Sequence, residues 1–289
     1  MVKKVGTEKS ETINGTSAAD DLDGRGGNDI IHGGSGDDRI QGGHGNDKIY
    51  GEGGNDKIYG GYDADLIDGG IGNDTIYGNS ENDTAYGGTG NDFLDLGYGN
   101  DKGYGGAGND TLNGSYGNDL VNGDAGNDAV TGGAGDDSVY GGAGNDILHG
   151  GAGNDYLRGG AGADKIYADS GADRFVFDDG EAGVGDARRD WIVAMKYKEG
   201  DRIDMSLIDA NSSVKGDQAF KYIGDDAFTG LGQLRVVKTD QYDHILSNQD
   251  ASPSGYLIQA NTTGSTSPDV EIKVDGFWDT APSKDWFIL

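Results

Sequence analysis

A nine-residue repeat runs without a break from Gly15 to Val176 and fills 18 consecutive blocks. We number the positions of each block one to nine, so that Gly15 takes position one and Asp20 takes position six. Position six is Asp in every block, position one is Gly in all but two, and position four is Gly in all but three. A short period kept over so many blocks predicts a solenoid, in which each repeat packs on its neighbours.

Each block is predicted to form a six-residue loop followed by a three-residue extended piece. The glycines allow backbone conformations with positive φ and leave carbonyl oxygens open to close approach. The Asp adds a negatively charged oxygen. Calcium binds six to eight carboxylate and carbonyl oxygens at roughly 2.3–2.6 Å, whereas magnesium requires stricter geometry. The loops are therefore predicted to bind calcium.

Position eight supplies the predicted core. It is Ile, Leu or Val in every block except those with Ala85, Gly103 and Phe175. Glycine at this density disfavours helices, and no 3.6-residue period is present. Stacked coils would instead pair their extended pieces in parallel and line a thin apolar interior. The predicted fold class is all-β, a parallel solenoid followed by a β-rich C-terminal cap.

Charge and composition narrow the classes of partner. The 289 residues contain 51 Asp and Glu against 22 Lys and Arg, a formal net charge of −29, and no Cys. This balance argues against nucleic acid and anionic membrane surfaces as primary partners and favours cations. Without Cys, no disulfide can stabilise the chain. The N-terminus lacks the apolar segment of a secretory signal peptide, and no apolar run reaches transmembrane length, so we expect a soluble chain exported by another route.

The blocks resemble those of the RTX (repeat-in-toxin) family of bacterial exoproteins over residues 15–176. This resemblance implies a right-handed parallel β-roll with two nonapeptides per coil and calcium between the loops of successive coils. Asp38 would then share an ion with the loop ending at Asp56, and Asp47 with the loop ending at Asp65. Eighteen loops paired in this way give up to 16 calcium ions. The implied metal ligands are Asp29, Asp38, Asp47, Asp56, Asp74, Asp92, Asp101, Asp110, Asp119, Asp128, Asp137, Asp146, Asp155, Asp164 and Asp173.

Departures from the pattern predict weak points in the array. Asp20, Asp65 and Asp83 are left out of the ligand set because their blocks lack the glycine at position four. Ala85 and Gly103 are predicted to stack in one sheet and leave a thin place in the core. Without calcium the carboxylates would repel one another, so the chain is predicted to be disordered until calcium binds.

The period ends after Val176, and short β segments between turns follow. We predict a lead-in over 1–14, the β-roll over 15–176 and a β-rich domain over 177–289. The segments "DRIDMSLID", "AFTGLGQLR" and "KDWFIL" resemble the region after the repeats in serralysin-type proteases and other type I secretion substrates. That resemblance implies that residues 285–289 form an export signal read by an ABC exporter. They are equally compatible with a last β-strand.

No catalytic motif accompanies the repeats. Four histidines are present, and none has the spacing of a zinc protease; they are His32, His44, His149 and His244. A lipase nucleophile elbow and a phosphate-binding loop are also missing. The acidic pairs after the repeats are interpreted as turn and cap residues; they are Asp178, Asp179, Glu181, Asp225 and Asp226. We therefore expect a protein that is not an enzyme.

Tyrosines at position nine are predicted to face outward. They are Tyr50, Tyr59, Tyr77, Tyr86, Tyr104, Tyr140 and Tyr167. The pairs Tyr59/Tyr77 and Tyr86/Tyr104 would stack on successive coils. Such pairs stabilise an exposed sheet or bind sugars, and the first interpretation is favoured.

The predicted function is that of a secreted, extracellular, calcium-binding protein. The architecture resembles that of secreted nodulation signalling proteins of rhizobia, which implies a role in host interaction, with a host membrane as a possible partner. The alternatives are a protein that binds or modifies extracellular polysaccharide, or an adhesin.

Overall fold

The computed structural model describes residues 2–178, 189–196, 199–208, 221–222, 233–239, 255–262, 269–275 and 283–289. The chain divides into two compact units, Met1–Ala143 and Gly144–Leu289. Among the described residues, no helix combines the length and apolar character needed to cross a bilayer.

The first unit consists of short strands joined by tight loops. Its strands are β1 Lys3–Val5, β2 Thr12–Thr16, β3 Asp21–Gly26, β4 Ile30–Ser35, β5 Arg39–His44, β6 Lys48–Gly53, β7 Lys57–Tyr62, β8 Leu66–Ile71, β9 Thr75–Ser80, β10 Thr84–Thr89, β11 Phe93–Tyr98, β12 Lys102–Ala107, β13 Thr111–Tyr116, β14 Leu120–Ala125, β15 Ala129–Ala134 and β16 Ser138–Ala143. Two of these, β1 and β2, begin before Gly15 and pair with β3 and β4.

Odd-numbered strands of this unit form one parallel sheet and even-numbered strands form the other. Partners lie 18 residues apart, as in the pair Tyr86 and Tyr104, so one coil contains two repeats. The predicted all-β parallel solenoid is confirmed.

The extended piece is longer than the predicted three residues. Each strand within the repeats runs from position seven of one block to position three of the next, six residues in all. Neighbouring strands pair at positions seven to nine and again at positions two and three. The pairing skips the glycine at position one, such as Gly87. The loop is correspondingly reduced to positions four to six.

Position eight forms the core, as predicted. From Leu22 to Val139 the side chains at this position are at most 1% exposed. The predicted thin place at Ala85 and Gly103 is wrong, although the two residues do pair. Leu96, which replaces the glycine at position one, is fully buried, and a Cβ on Gly103 would lie 3.0 Å from its Cδ1. Leu96 thus occupies the space that Gly103 leaves.

The second unit begins with repeats and ends in a mixed sheet. Its elements are β17 Ile147–Ala152, β18 Tyr156–Ala161, β19 Lys165–Ser170, β20 Arg174–Asp178, β21 Asp190–Val193, β22 Arg202–Leu207, β23 Lys221–Tyr222, β24 Gln233–Thr239, β25 Gly255–Asn261, β26 Val270–Asp275, a 3-10 helix Lys284–Trp286, and β27 Phe287–Ile288.

Parallel pairing continues in this unit after the last repeat. β21 pairs with β19 and β22 with β20, so one further coil, with a strand in each sheet, forms without the nine-residue period. β24, β25 and β26 are antiparallel and extend the sheet that contains β21. The terminal strand β27 pairs with β22, so residues 287–288 lie in a sheet; their role in export stays a prediction.

Candidate calcium-binding ladders

The aspartates at position six form hydrogen-bonded columns, which we call the aspartate ladders. Within each ladder the backbone N–H of one Asp donates to Oδ1 of the Asp on the next coil. Asp29 donates to Asp47 at 2.7 Å, and Asp47 donates to Asp65 at 2.8 Å. The ladder aspartates of the repeats are only 1–4% exposed. Every aspartate predicted as a metal ligand belongs to one of these ladders.

The first unit contains two ladders. One comprises Asp20, Asp38, Asp56, Asp74, Asp92, Asp110 and Asp128. The other comprises Asp29, Asp47, Asp65, Asp83, Asp101, Asp119 and Asp137. In the second unit the ladders comprise Asp146, Asp164 and Asp190, and Asp155, Asp173 and Asp201.

The second carboxylate oxygen distinguishes these residues from ordinary capping aspartates. Within the described part of the chain, Oδ2 is buried and accepts no hydrogen bond in Asp29, Asp38, Asp47, Asp56, Asp65, Asp74, Asp83, Asp92, Asp101, Asp110, Asp119 and Asp173. A buried polar atom without a partner costs about 1–3 kcal/mol, and more when it carries charge. A bound cation would satisfy these oxygens.

The glycine at position one shapes the space beside Oδ2. A Cβ on Gly42 would lie 2.5 Å from Oδ2 of Asp47 and 2.5 Å from the carbonyl oxygen of Gly60. A carboxylate oxygen and a carbonyl oxygen therefore face the same narrow space, which any side chain would fill. This combination of oxygens suits a hard cation such as calcium. No group of three or more His, Cys, Asp or Glu side chains converges on a metal position in the described residues, so backbone carbonyls would complete the coordination.

The loops keep their shape where position four is not glycine. Gly36 at this position has φ of 101°, and Asp63 and Glu81 keep the left-handed conformation with φ of 71° and 74°. Asp65 and Asp83, which follow them, take their regular places in a ladder. The loss of the fourth glycine therefore does not remove these two aspartates from the candidate site, contrary to the reason for which they were left out.

Asp20 differs from the other ladder members. Its Oδ2 accepts a hydrogen bond from the Thr16 hydroxyl at 2.7 Å, and its Oδ1 accepts one from the Val2 N–H at 2.5 Å. These bonds lower the pKa of Asp20, with the Thr16 hydroxyl contributing most. Because both oxygens are satisfied within the chain, Asp20 is the weakest candidate ligand of its ladder.

Burial dominates the electrostatics of the other ladder members. It raises the pKa of Asp47 and Asp74 to about 6, and that of Asp83 to about 8, against an opposing effect of the backbone hydrogen bonds. Neighbouring carboxylates, such as Asp65 beside Asp83, raise the pKa further. The ionised ladder is therefore unfavourable without a compensating positive charge.

Two members of the ladders were missed in the sequence. Asp190 and Asp201 accept from Asp164 and Asp173 at 2.9 and 3.1 Å, although they lie 26 and 28 residues further along rather than 18. The tripeptide Asp-Arg-Ile that begins at Asp201 also begins at Asp38, and this identity is the sequence signal that could have predicted Asp201 as a ladder member.

Position five carries a second series of hydrogen bonds that was not predicted from the sequence. The Asn73 side chain, for example, accepts from the Asn91 N–H at 2.6 Å. The frequency of Asn at position five is the sequence signal that could have predicted these hydrogen bonds.

The histidines and acidic residues considered for catalysis form no shared cluster where they are described. His32 contacts Glu52 at 2.8 Å, and His149 contacts Asp169 at 3.0 Å. Asp178 pairs with Arg158 at 2.9 Å. Asp179, Glu181, Asp225, Asp226 and His244 lie outside the described residues, as does most of the segment "AFTGLGQLR".

The predicted tyrosine stacks are present. Ring centroids are 5.1 Å apart in both Tyr59/Tyr77 and Tyr86/Tyr104. Position three provides further stacks that were not predicted, among them His44/Tyr62 at 4.5 Å and Tyr98/Tyr116 at 4.8 Å.

Parallel coils of two nonapeptides, with buried carboxylates beside glycine carbonyls, define a calcium-binding β-roll. The family model "RTX calcium-binding nonapeptide repeat" matches continuously over residues 5–181, which is 177 of the 289 residues. The chain belongs to this family, whose repeats bind calcium.

Solved structures similar to this chain include two solution structures from the mannuronan C5-epimerase of Azotobacter vinelandii. The AlgE6R2 subunit has 19% identity and a TM-score of 0.34, over 62% of this chain and 87% of its own. The AlgE6R3 subunit has 17% identity and a TM-score of 0.25, over 73% and 79%. No curated protein matches the sequence of this chain.

Proposed function

We propose that this protein is a secreted RTX protein without a catalytic domain, which folds as calcium fills its aspartate ladders outside the cell. The buried Oδ2 atoms carry this proposal, because each is a desolvated acceptor that a cation would satisfy. The formal charge of −29 has the sign and size that many divalent ions would balance. Up to 16 ions would bring 32 positive charges.

The ladder residues have distinct tasks in this proposal. Oδ1 orders each loop by accepting the N–H of the preceding coil, as Asp56 does from Asp38 at 2.8 Å. Oδ2 and the position-one carbonyl then present oxygens to the ion, and the left-handed glycines hold the loop open. Bound calcium supplies the positive charge that allows these buried carboxylates to remain ionised.

Calcium dependence of folding tests the proposal directly. The chelator-treated chain is titrated with calcium and, as a control, with magnesium, and followed by far-UV circular dichroism. A cooperative transition from coil to β structure with calcium alone is expected. A spectrum that is β-rich in chelator and unchanged by calcium would contradict the proposal.

Export and host interaction are finer parts of the same proposal. The C-terminal sequence Asp285 to Leu289 has the acidic and apolar character of a type I export signal. In architecture the chain resembles the rhizobial nodulation signalling protein O, which supports a role in host interaction at a plant surface. Deleting residues 285–289 and measuring secretion through a co-expressed ABC exporter tests the first part; unchanged secretion would exclude this signal.

Glycan binding is a second candidate function, favoured by the outward tyrosines around a groove of about 670 Å³ in the first unit. Modification of polysaccharide and adhesion are weaker alternatives, since neither is supported by an observation of its own. Binding of purified, calcium-loaded protein to extracellular glycans, measured with product analysis, separates binding from turnover.

A further inference from the structure

A slot opens in the groove where the position-three column of one sheet is interrupted. On the neighbouring strands β5, β7, β9, β11 and β13 this column reads His44, Tyr62, Ser80, Tyr98 and Tyr116. The register places Tyr62 beside His44 and Ser80 beside Tyr98. Ser80 is the only small residue of the five, so it leaves a gap between two aromatic side chains.

Aromatic faces form the two walls of this slot. Tyr62 stacks on His44 at 4.5 Å, and Tyr98 stacks on Tyr116 at 4.8 Å, so each tyrosine has its outer face covered. Their other faces are directed toward the position of Ser80. Tyr62 and Tyr98 are 59% and 62% exposed, so both rings are accessible to a ligand.

The width of the slot selects the shape of its ligand. Two strand spacings of about 4.8 Å separate Tyr62 from Tyr98, or about 9.6 Å in all. A flat ring between two others needs about 7–8 Å, twice the usual carbon–carbon contact distance. The slot is thus too wide for an aromatic ligand and suits a thicker ring, such as the chair of a pyranose.

Polar groups around the slot match a ligand with many hydroxyls. Asn79, Asp95 and Gln41 line the same groove. Asn79 has φ of 80° at a position that is usually glycine, and its amide donates to the Tyr77 carbonyl at 3.3 Å. Asp95 accepts from the Ser115 hydroxyl at 2.8 Å. Such carboxylates and amides bind sugar hydroxyls, whereas a quaternary ammonium ligand would need none of them.

Charge indicates that the ligand is neutral. Both cations at the groove are engaged within the chain: Arg39 is paired with Asp21 at 3.3 Å, and the Lys57 ammonium lies 5.3 Å from the centroid of the Tyr59 ring. Asp95 adds a negative charge to the lining. A uronate glycan would be repelled by the Asp95 carboxylate and by the strongly negative net charge of the protein.

The fold does not need these tyrosines. The blocks that contain Ala143, Ala152 and Ala161 have alanine at position three and still form regular strands. The tyrosines of the slot are therefore not required for strand formation, and they can bind a ligand without a cost to the fold.

We infer that the slot between Tyr62 and Tyr98 binds a pyranose unit of a neutral glycan. This inference deepens the glycan binding proposed above as a second function. It is independent of calcium-driven folding, which circular dichroism measures on the same samples. The ring is sandwiched between the two tyrosines while Asn79 and Asp95 bind its hydroxyls.

Calorimetric titration of the full, calcium-loaded chain tests this inference. The probes are hexaoses of β-1,4-glucan, β-1,4-mannan and β-1,3-glucan, and a hexauronate of the same length. Ser80→Tyr fills the slot, and Tyr98→Ala removes one wall. Thr89→Tyr also places a tyrosine at position three, on β10 in the opposite sheet, and serves as the matched control. Tyr98→Phe retains the ring face.

At least one neutral hexaose is expected to bind. Ser80→Tyr and Tyr98→Ala should each weaken that binding at least tenfold, and Tyr98→Phe should weaken it less than Tyr98→Ala does. Thr89→Tyr, which lies outside the slot, should stay within threefold of the original chain. Circular dichroism must show that all variants fold with calcium. Absence of binding to every neutral hexaose, binding of the hexauronate alone, or unchanged binding by folded Ser80→Tyr would each overturn the inference.

Discussion

Replacing Leu96 with alanine is expected to destabilise the first unit more than an ordinary core truncation. Leu96 is fully buried, and it fills the space beside Gly103, which has no side chain. The strand partners of Gly103 are Ala85, whose side chain is small, and Val121, whose β-branched side chain is stiff, so little side chain is available to collapse into the cavity. Leu→Ala substitutions cost about 2–5 kcal/mol, with the higher values where the site cannot relax. We expect about 4 kcal/mol.

A second substitution at Gly103 separates this reasoning from a general loss of hydrophobic area. In the original chain, a Cβ at Gly103 would lie 3.0 Å from Leu96 Cδ1, so Gly103→Ala is expected to be neutral or destabilising. In the Leu96→Ala background the same change fills part of the cavity and should recover about 1 kcal/mol. Urea unfolding at a fixed, saturating calcium concentration measures both effects, with Leu94→Ala as a core control. Gly103→Ala with the same sign in both backgrounds would refute the packing argument.

Three further predictions concern the ladders. Asp56→Asn retains an acceptor for the Asp38 N–H but removes a charge, so it should lower the calcium stoichiometry measured by native mass spectrometry; Asp20→Asn, whose oxygens are already satisfied, should not. Glu81→Gly relieves a left-handed residue with φ of 74° and should raise stability by about 1 kcal/mol in calcium, whereas Glu81→Ala should not match it. Burial raises the pKa of Asp56 and Asp92 from 3.8 to about 7, so the folded chain without calcium binds more protons than the unfolded one. Its stability should then be greatest below about pH 4 and decline as the pH rises toward 7, and circular dichroism in chelator at pH 4 and pH 8 should show β structure favoured at the lower pH. Equal spectra would contradict the desolvation argument.

The period of the sequence was sufficient to predict the coils, because a strict nine-residue repeat fixes both the strand partner and the buried position. It could not predict how the two sheets meet inside. The compensation between Leu96 and Gly103 joins position one of one sheet to position eight of the other. When position-eight residues 18 apart are compared, Gly103 is found next to Ala85, and Leu96 at position one is not part of the comparison. The sequence alone therefore predicted a defect in the core.

The ladders show a different limit of the period. Asp190 and Asp201 occupy the same structural place as the repeat aspartates, but the chain inserts 8 and 10 extra residues before them relative to the 18-residue spacing. A hydrogen bond from one coil to the next requires only that the backbone returns to the correct height. It does not require a fixed path length, so a search for a constant period ends at Val176 while the ladder continues.

The nine positions therefore differ in how far sequence determines their use. Positions one, two, four and six are constrained by backbone conformation and by the oxygens that face the ion, and position eight is constrained by the core, so these can be predicted from a single chain. Positions three and nine point outward and tolerate Ala, Ser, Thr, His or Tyr without a change in the strand. The role of a side chain at these positions depends on which side chains lie beside it, 18 residues away in the sequence. For this reason the stacks at position three and the gap at Ser80 were recognised only in the structure.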